Sequence, residues 1–169
     1  GEGVPQDYKT AVKWYRLAAE QGDAHAQFNL GVMYRKGLGV PQDDKTAVKW
    51  YRLAAEQGYA DAQNNLGLMY YKGLGVSQDN KTALKWWKLA AEQGSAKAQH
   101  NLAFMYRNGE GVPQNDIYAY MWFNIAVSQG FKIAGGEREL VAKSMSPSQI
   151  EQAQELASEC VKKKFKGCD

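Results

Sequence analysis

With 169 residues, 44% of them hydrophobic, and a formal charge of only +3, the chain has the size of one ordinary domain. Its 21 Lys and Arg are interspersed with 18 Asp and Glu, which argues against the one-sided basic footprint of a nucleic-acid binder. No apolar run approaches membrane-spanning length and no signal-peptide pattern is visible, so membrane insertion is not expected.

The predicted elements recur every 36 residues. GVPQDYKTAVKWYRLAAEQG at Gly3 returns at Gly39 and Gly75 with few changes, and more loosely at Gly111. Such a period marks one supersecondary unit stacked on its neighbours, a solenoid whose core lies between units. The chain opens at Gly1 inside a repeat, without an initiator Met, so upstream repeats are expected. The first element is therefore an unpaired helix over residues 7–21, stopped at Gly22, where a left-handed backbone costs little. Ala24, Gln27, Leu30, Gly31 and Tyr34 then mark one face of a second helix. Gly37 and Gly39 break it, Val40 and Pro41 cross the connection, and Asp43 or Asp44 caps the next helix. That helix carries Ala47, Trp50, Tyr51, Ala54 and Ala55 and stops at Gly58. The pairing resumes from Ala60 and from Ala96.

Small residues recur where helices must approach closely: Gly31, Gly67 and Ala103 on one helix, Ala18, Ala54, Ala90 and Ala126 on the other. Trp14, Trp50, Trp86 and Trp122 are expected as the complementary core wedges, each with its indole N–H paired. The repeat signature fails at Phe131, although Glu137–Lys143 still read as helix. Ser146, Pro147 and Gln149 then form a capping-box start. Ile150, Ala153, Leu156, Ala157 and Cys160 share one face of the helix that follows. This last helix is expected to cover the final repeat, giving repeats over 1–130 and a degenerate helix plus cap over 131–169. Cys160 and Cys168 fit a disulfide pinning the C-terminus, which would suit a periplasmic or secreted protein. The alternative is a buried Cys160 with an idle Cys168. With no His near them, the cysteines do not read as a metal site. Lys162–Lys164 and Lys166 read as a solvated helix end.

The motif A-x-A-Q-x-x-L-G-x-M-Y, then G-x-G-V-P-Q-D, then K-x-A-x-x-W-Y-x-x-A-A-x-x-G resembles the Sel1-like repeat family, relatives of the tetratricopeptide repeats. The resemblance implies an all-α fold, a right-handed α/α superhelical solenoid of helix-turn-helix repeats with a C-terminal capping helix. It implies a bacterial source and an adaptor or scaffold role. It also places the Ala-Gln-x-x-Leu-Gly helix on a concave inner wall and the Trp-Tyr helix outside.

Residues 1–36 and 37–72 differ at seven positions, and four of these lie on the inner helix: His25/Asp61, Phe28/Asn64, Val32/Leu68 and Arg35/Tyr71. The third copy has Lys97, His100, Phe104 and Arg107 there. Their spacing makes one helical stripe, variable on a fixed scaffold, as a recognition surface would be; drift at tolerant exposed positions is the other reading. Beside the stripe, Asn29, Asn65 and Asn101 keep one identity. In related tetratricopeptide grooves an Asn in the matching place holds a bound peptide's backbone, and an amide both donates and accepts. An Asn satisfying a neighbouring carbonyl is the alternative. The expectation is a monomeric protein–protein interaction module. Its groove would hold a protein or peptide segment, Asn fixing the backbone, aromatics receiving side chains and Arg attracting acidic groups. No cofactor is called for. His25 and His100 are the only histidines, and no catalytic or phosphate-binding motif occurs. Hydrolysis of cell-wall or β-lactam substrates, described for some Sel1-like proteins, is the rival activity, and a passive spacer is the third reading.

Overall fold

The computed structural model describes residues 7–168. Among them the regular elements are nine α-helices, with no strand. The chain divides into two compact units, Gly1–Gln78 and Asp79–Asp169.

The first unit holds α1 (Tyr8–Glu20), α2 (Ala24–Lys36), α3 (Asp44–Glu56) and α4 (Ala60–Lys72), each packed on the next. Of the two candidate caps for α3, Asp43 takes the position. Its carboxylate accepts the N–H groups of Lys45 and Thr46 and the Thr46 hydroxyl, satisfying donors that a helix start leaves open. Asp7 caps α1 in the same way. The Thr bonds hold both carboxyls below the usual range. The connection from α2 to α3 needs two glycines for different reasons. Gly37 adopts φ 68° and returns its N–H to the Met33 carbonyl. Gly39, at φ 71°, passes so close to the Tyr8 carbonyl that a Cβ would collide with it. Gly75 stands in the same relation to Asp44.

Buried glutamines tie neighbouring helices. Gln27 Nε2 donates to the Ala19 carbonyl at 3.1 Å, and Gln63 Nε2 to that of Ala55 at 3.1 Å. The Gln57 amide in turn donates to Gln27 Oε1 at 2.7 Å. A buried amide bonded at both ends avoids the desolvation penalty that one lost partner would impose.

The second unit holds α5 (Asn80–Ala91), α6 (Ala96–Asn108), α7 (Asp116–Ser128), α8 (Ala134–Ala142) and α9 (Pro147–Lys162). The helices α5, α6 and α7 pack in sequence, and both α8 and α9 then pack on α7. The helix expected from Glu137 starts three residues earlier. It keeps the repeat register, for Ala134 and Val141 are buried where Ala98 and Met105 are buried one period before. The capping box of α9 is present as read, with Pro147 in the first turn. Ala153, Ala157 and Cys160 are buried, while Ile150 and Leu156 are half-buried. Cys160 and Cys168 form a disulfide, Cα to Cα 5.3 Å. The chain turns inside this loop through Lys164 and Phe165 at φ 52° and 67°. The Phe165 ring lies on Gly94, where an added Cβ would come within 3.3 Å of it.

The tryptophans depart from expectation. Of the four expected wedges only Trp122 is buried, and its Nε1 has no hydrogen-bond partner among the described residues. Trp50 and Trp86 are half-buried, and Trp14 is 68% exposed. The cause is positional. Trp50 packs back on the cluster formed by α1 and α2, whereas no described helix precedes α1 to cover Trp14.

Candidate functional site

The helices α2, α4 and α6 each bury one face. In α2 it comprises Ala26, Gln27, Leu30, Gly31 and Met33, and the equivalents in α4 and α6 are buried too. That face leaves the variable stripe on the flank. His25, Asp61 and Lys97 are exposed; Val32, Leu68 and Phe104 are half-buried, as are Arg35, Tyr71 and Arg107. The remaining stripe position is the most enclosed, with Phe28 and His100 half-buried and Asn64 only 8% exposed.

That enclosure has a specific partner set. Phe28 sits 6.0 Å from the Tyr51 ring and 5.2 Å from Tyr59, and His25 meets Tyr59 edge-on at 6.1 Å. Two periods later His100 lies 5.4 Å from Phe123 and 5.1 Å from Phe131. Variation at this position is thus matched by variation in the rings it packs against, Tyr with Phe28 and Phe with His100. Burial lowers the pKa of His100, opposed by its hydrogen bond with the Asn101 side chain and by the charge of Glu137.

The three asparagines are half-buried and held locally. Asn29 Nδ2 donates to the His25 carbonyl at 2.9 Å. Asn65 hydrogen-bonds the Tyr51 side chain, whose pKa burial pushes up to about 12 despite that bond. Asn65 also accepts from Asn64 Nδ2 at 3.4 Å, and Asn101 bonds His100. Asn29 and Val32 line a pocket of about 220 Å³ between α1 and α2, with Tyr8, Tyr15 and Leu38.

Two of the stripe's cations have carboxylate partners that the sequence reading did not foresee. Arg35 faces Asp44 at 3.6 Å, and Arg107 pairs with Glu137 of α8. A signal for the second pair was present. Glu137 stands in the degenerate helix one period after Asn101, an acid where the repeat otherwise keeps a neutral amide. These pairs turn Arg35 and Arg107 partly into structural residues. The exposed members of the stripe are His25, Asp61 and Lys97, an imidazole, an acid and a base.

Among the described residues no group of three or more His, Cys, Asp or Glu is placed to hold a metal ion. No described helix is long and apolar enough to cross a membrane.

Helix pairs at a fixed period, with a buried framework and a variable flank, define an all-α repeat solenoid. The Sel1 repeat family model matches residues 1–23, 24–59, 60–95 and 96–131, and the chain belongs to the Sel1 repeat family. Among solved structures it is similar to c5321, a protective antigen of uropathogenic Escherichia coli strains displaying an SLR fold. The two share 38% identity with TM-score 0.91 over 99% of this chain and 36% of that one. It is also similar to a Sel1 repeat protein from Oxalobacter formigenes, at 34% identity and TM-score 0.71, over 96% of this chain and 60% of the other. The chain thus spans less than two thirds of either relative's length. Helicobacter pylori cysteine rich protein B shares the fold at 23% identity and TM-score 0.61, over 80% of this chain and 98% of that one. None of the curated proteins matches the chain. Sel1 repeat proteins act generally as protein-interaction scaffolds and are typically non-enzymatic.

Proposed function

We propose that this chain is a monomeric adaptor module that holds a segment of a partner protein on the first helix of each repeat, the helix that the family resemblance places on a concave face. The observation that carries the reading is the distribution of differences between two nearly identical copies. Of seven changes between residues 1–36 and 37–72, four fall on one stripe of the inner helix, while the buried face beside it, Ala26, Gln27, Leu30, Gly31 and Met33, is identical in the second copy. Half-buried side chains such as Val32, Leu68 and Phe104 offer apolar contact, and the flanking imidazole of His25 and the charges of Asp61 and Lys97 would set partner choice. The disulfide supports placing the protein in an oxidising compartment, the periplasm or the exterior.

A random-peptide display selection against the full chain tests this. Recovered peptides are expected to lose roughly tenfold or more in affinity for a His25→Ala/Asp61→Ala/Lys97→Ala variant. All three side chains are exposed, so the variant should keep its helical circular dichroism. Equal affinity for the variant and for Leu68→Ser would overturn the proposal.

A further inference from the structure

The outer face of the first unit carries a second surface with its own chemistry. A depression of about 340 Å³ beside α3 is lined by Lys45, Lys49 and Arg52, by the apolar Val48, Leu53 and Val76, and by Gly75. The three cations fall at i, i+4 and i+7, so one helical stripe directs them to the same side. No carboxylate lines the depression, and none of the three cations forms an ion pair among the described residues. The two acids at the start of this helix are engaged elsewhere: Asp43 caps α3 and Asp44 faces Arg35 at 3.6 Å. Arg52 is held in place, its Nη2 donating to the Tyr70 hydroxyl at 2.7 Å, and Lys49 Nζ lies 5.8 Å from the Trp50 ring centre.

The arrangement recurs 36 residues earlier on α1, where Lys9, Lys13 and Arg16 are exposed and Arg16 donates to the Tyr34 hydroxyl at 2.6 Å. In the sequence it recurs again as Lys81, Lys85 and Lys88. It stops at α7, which has Ile117, Met121 and Asn124 at these places. There α9 packs on the helix, and Asn124 accepts a hydrogen bond from Arg138 of α8. Cations therefore occupy the outer position wherever no further helix covers it. Within the first unit, α1 and α3 thus each carry such a cationic stripe.

We propose that the depression beside α3 is a docking site for an acidic protein segment that places an apolar side chain between its carboxylates. The cations supply charge complementarity, with Arg52 pre-positioned to take a carboxylate through two N–H groups. Leu53 and Val76 supply an apolar floor, which favours a peptide over a uniformly charged polymer such as a nucleic acid. This site is on the opposite helix of the repeat from the stripe of α2 and α4, and does not depend on it.

The test is fluorescence anisotropy with the full chain and a labelled twelve-residue peptide of alternating Glu and Leu. A peptide with every Leu replaced by Gly and a single-stranded DNA twelve-mer serve as comparisons. Binding of the Glu-Leu peptide is expected to fall roughly tenfold in Lys45→Gln/Lys49→Gln/Arg52→Gln, with helical circular dichroism retained. It is also expected to fall several-fold in Leu53→Ser, and for the Gly peptide, and to weaken as salt rises and the Debye length shrinks to about 8 Å. Unchanged binding by the triple variant would overturn the proposal. So would DNA binding as tight as that of the Glu-Leu peptide, which would make the face a general polyanion surface.

Discussion

Replacing Gly31 by Ala is expected to destabilise the first unit by about 1–2 kcal/mol, although alanine is the better helix former by about 1 kcal/mol. The added Cβ would stand 2.7 Å from two carbons of the Tyr51 ring, against an ordinary carbon contact of about 3.5–4.0 Å. The ring would have to withdraw by roughly 1 Å. It is poorly placed to do so, being 2% exposed, stacked near Phe28 and tethered to Asn65. Overpacking of this kind costs roughly 2–3 kcal/mol, and the propensity gain offsets about 1 kcal/mol of it. Tyr51→Phe should shrink the penalty by removing the tether. The third copy already has Ala103 and Phe123 at these repeat positions, both fully buried. Urea unfolding of Gly31→Ala, Tyr51→Phe and the double variant, followed by circular dichroism, gives the coupling directly. A Gly31→Ala variant more stable than the native chain would refute the close-approach argument.

The tryptophans should behave unequally: Trp122→Ala costs about 3–5 kcal/mol, while Trp14→Ser stays within about 0.5 kcal/mol, both read from urea midpoints. His100 has a lowered pKa, so the unfolded chain takes up its proton first and the folded state favours the neutral ring. Its contribution is complete above pH 6.5, the value of the free group, and is lost as pH falls below it. The native melting temperature should therefore drop more between pH 7.5 and 5.5 than that of His100→Phe, and equal drops would contradict this. The capping carboxylates of Asp7 and Asp43 act in a separate window, their contribution being lost only as pH falls below 3.8. Reducing the disulfide, which closes a loop with sequence separation 8, should cost the second unit about 2–3 kcal/mol by freeing the unfolded chain. The readout is a lower melting temperature in reductant, absent in Cys160→Ser/Cys168→Ser.

The helices were legible because period, glycines and caps all act locally. Gly37 supplies a left-handed residue and Asp43 a carboxylate to the nearest open N–H groups, whatever the rest of the chain does. Trp14 was misread because the same residue type in the same repeat position depends on what covers it, and coverage is not a property of the repeat. The stripe positions were legible as a pattern, but their environments were not. Repeat comparison shows that Phe28, Asn64 and His100 vary, yet not that Phe28 and His100 contact rings 23 and 31 residues further on. The Arg107–Glu137 pair was hidden for a related reason. The acid lies where the repeat signature has faded, and only packing of α8 on α7 brings that segment into play.

The central claim, that the stripe of α2, α4 and α6 is the binding surface, is tested most directly by nitrogen-15 correlation spectra. The labelled chain would be titrated with a peptide recovered by display. The side-chain amides of Asn29, Asn65 and Asn101 should shift together with the backbone signals of His25, Leu68 and Phe104, while those of the buried Gln27, Gln63 and Gln99 stay in place. Shifts confined to other helices, with the three asparagine amides unmoved, would contradict it.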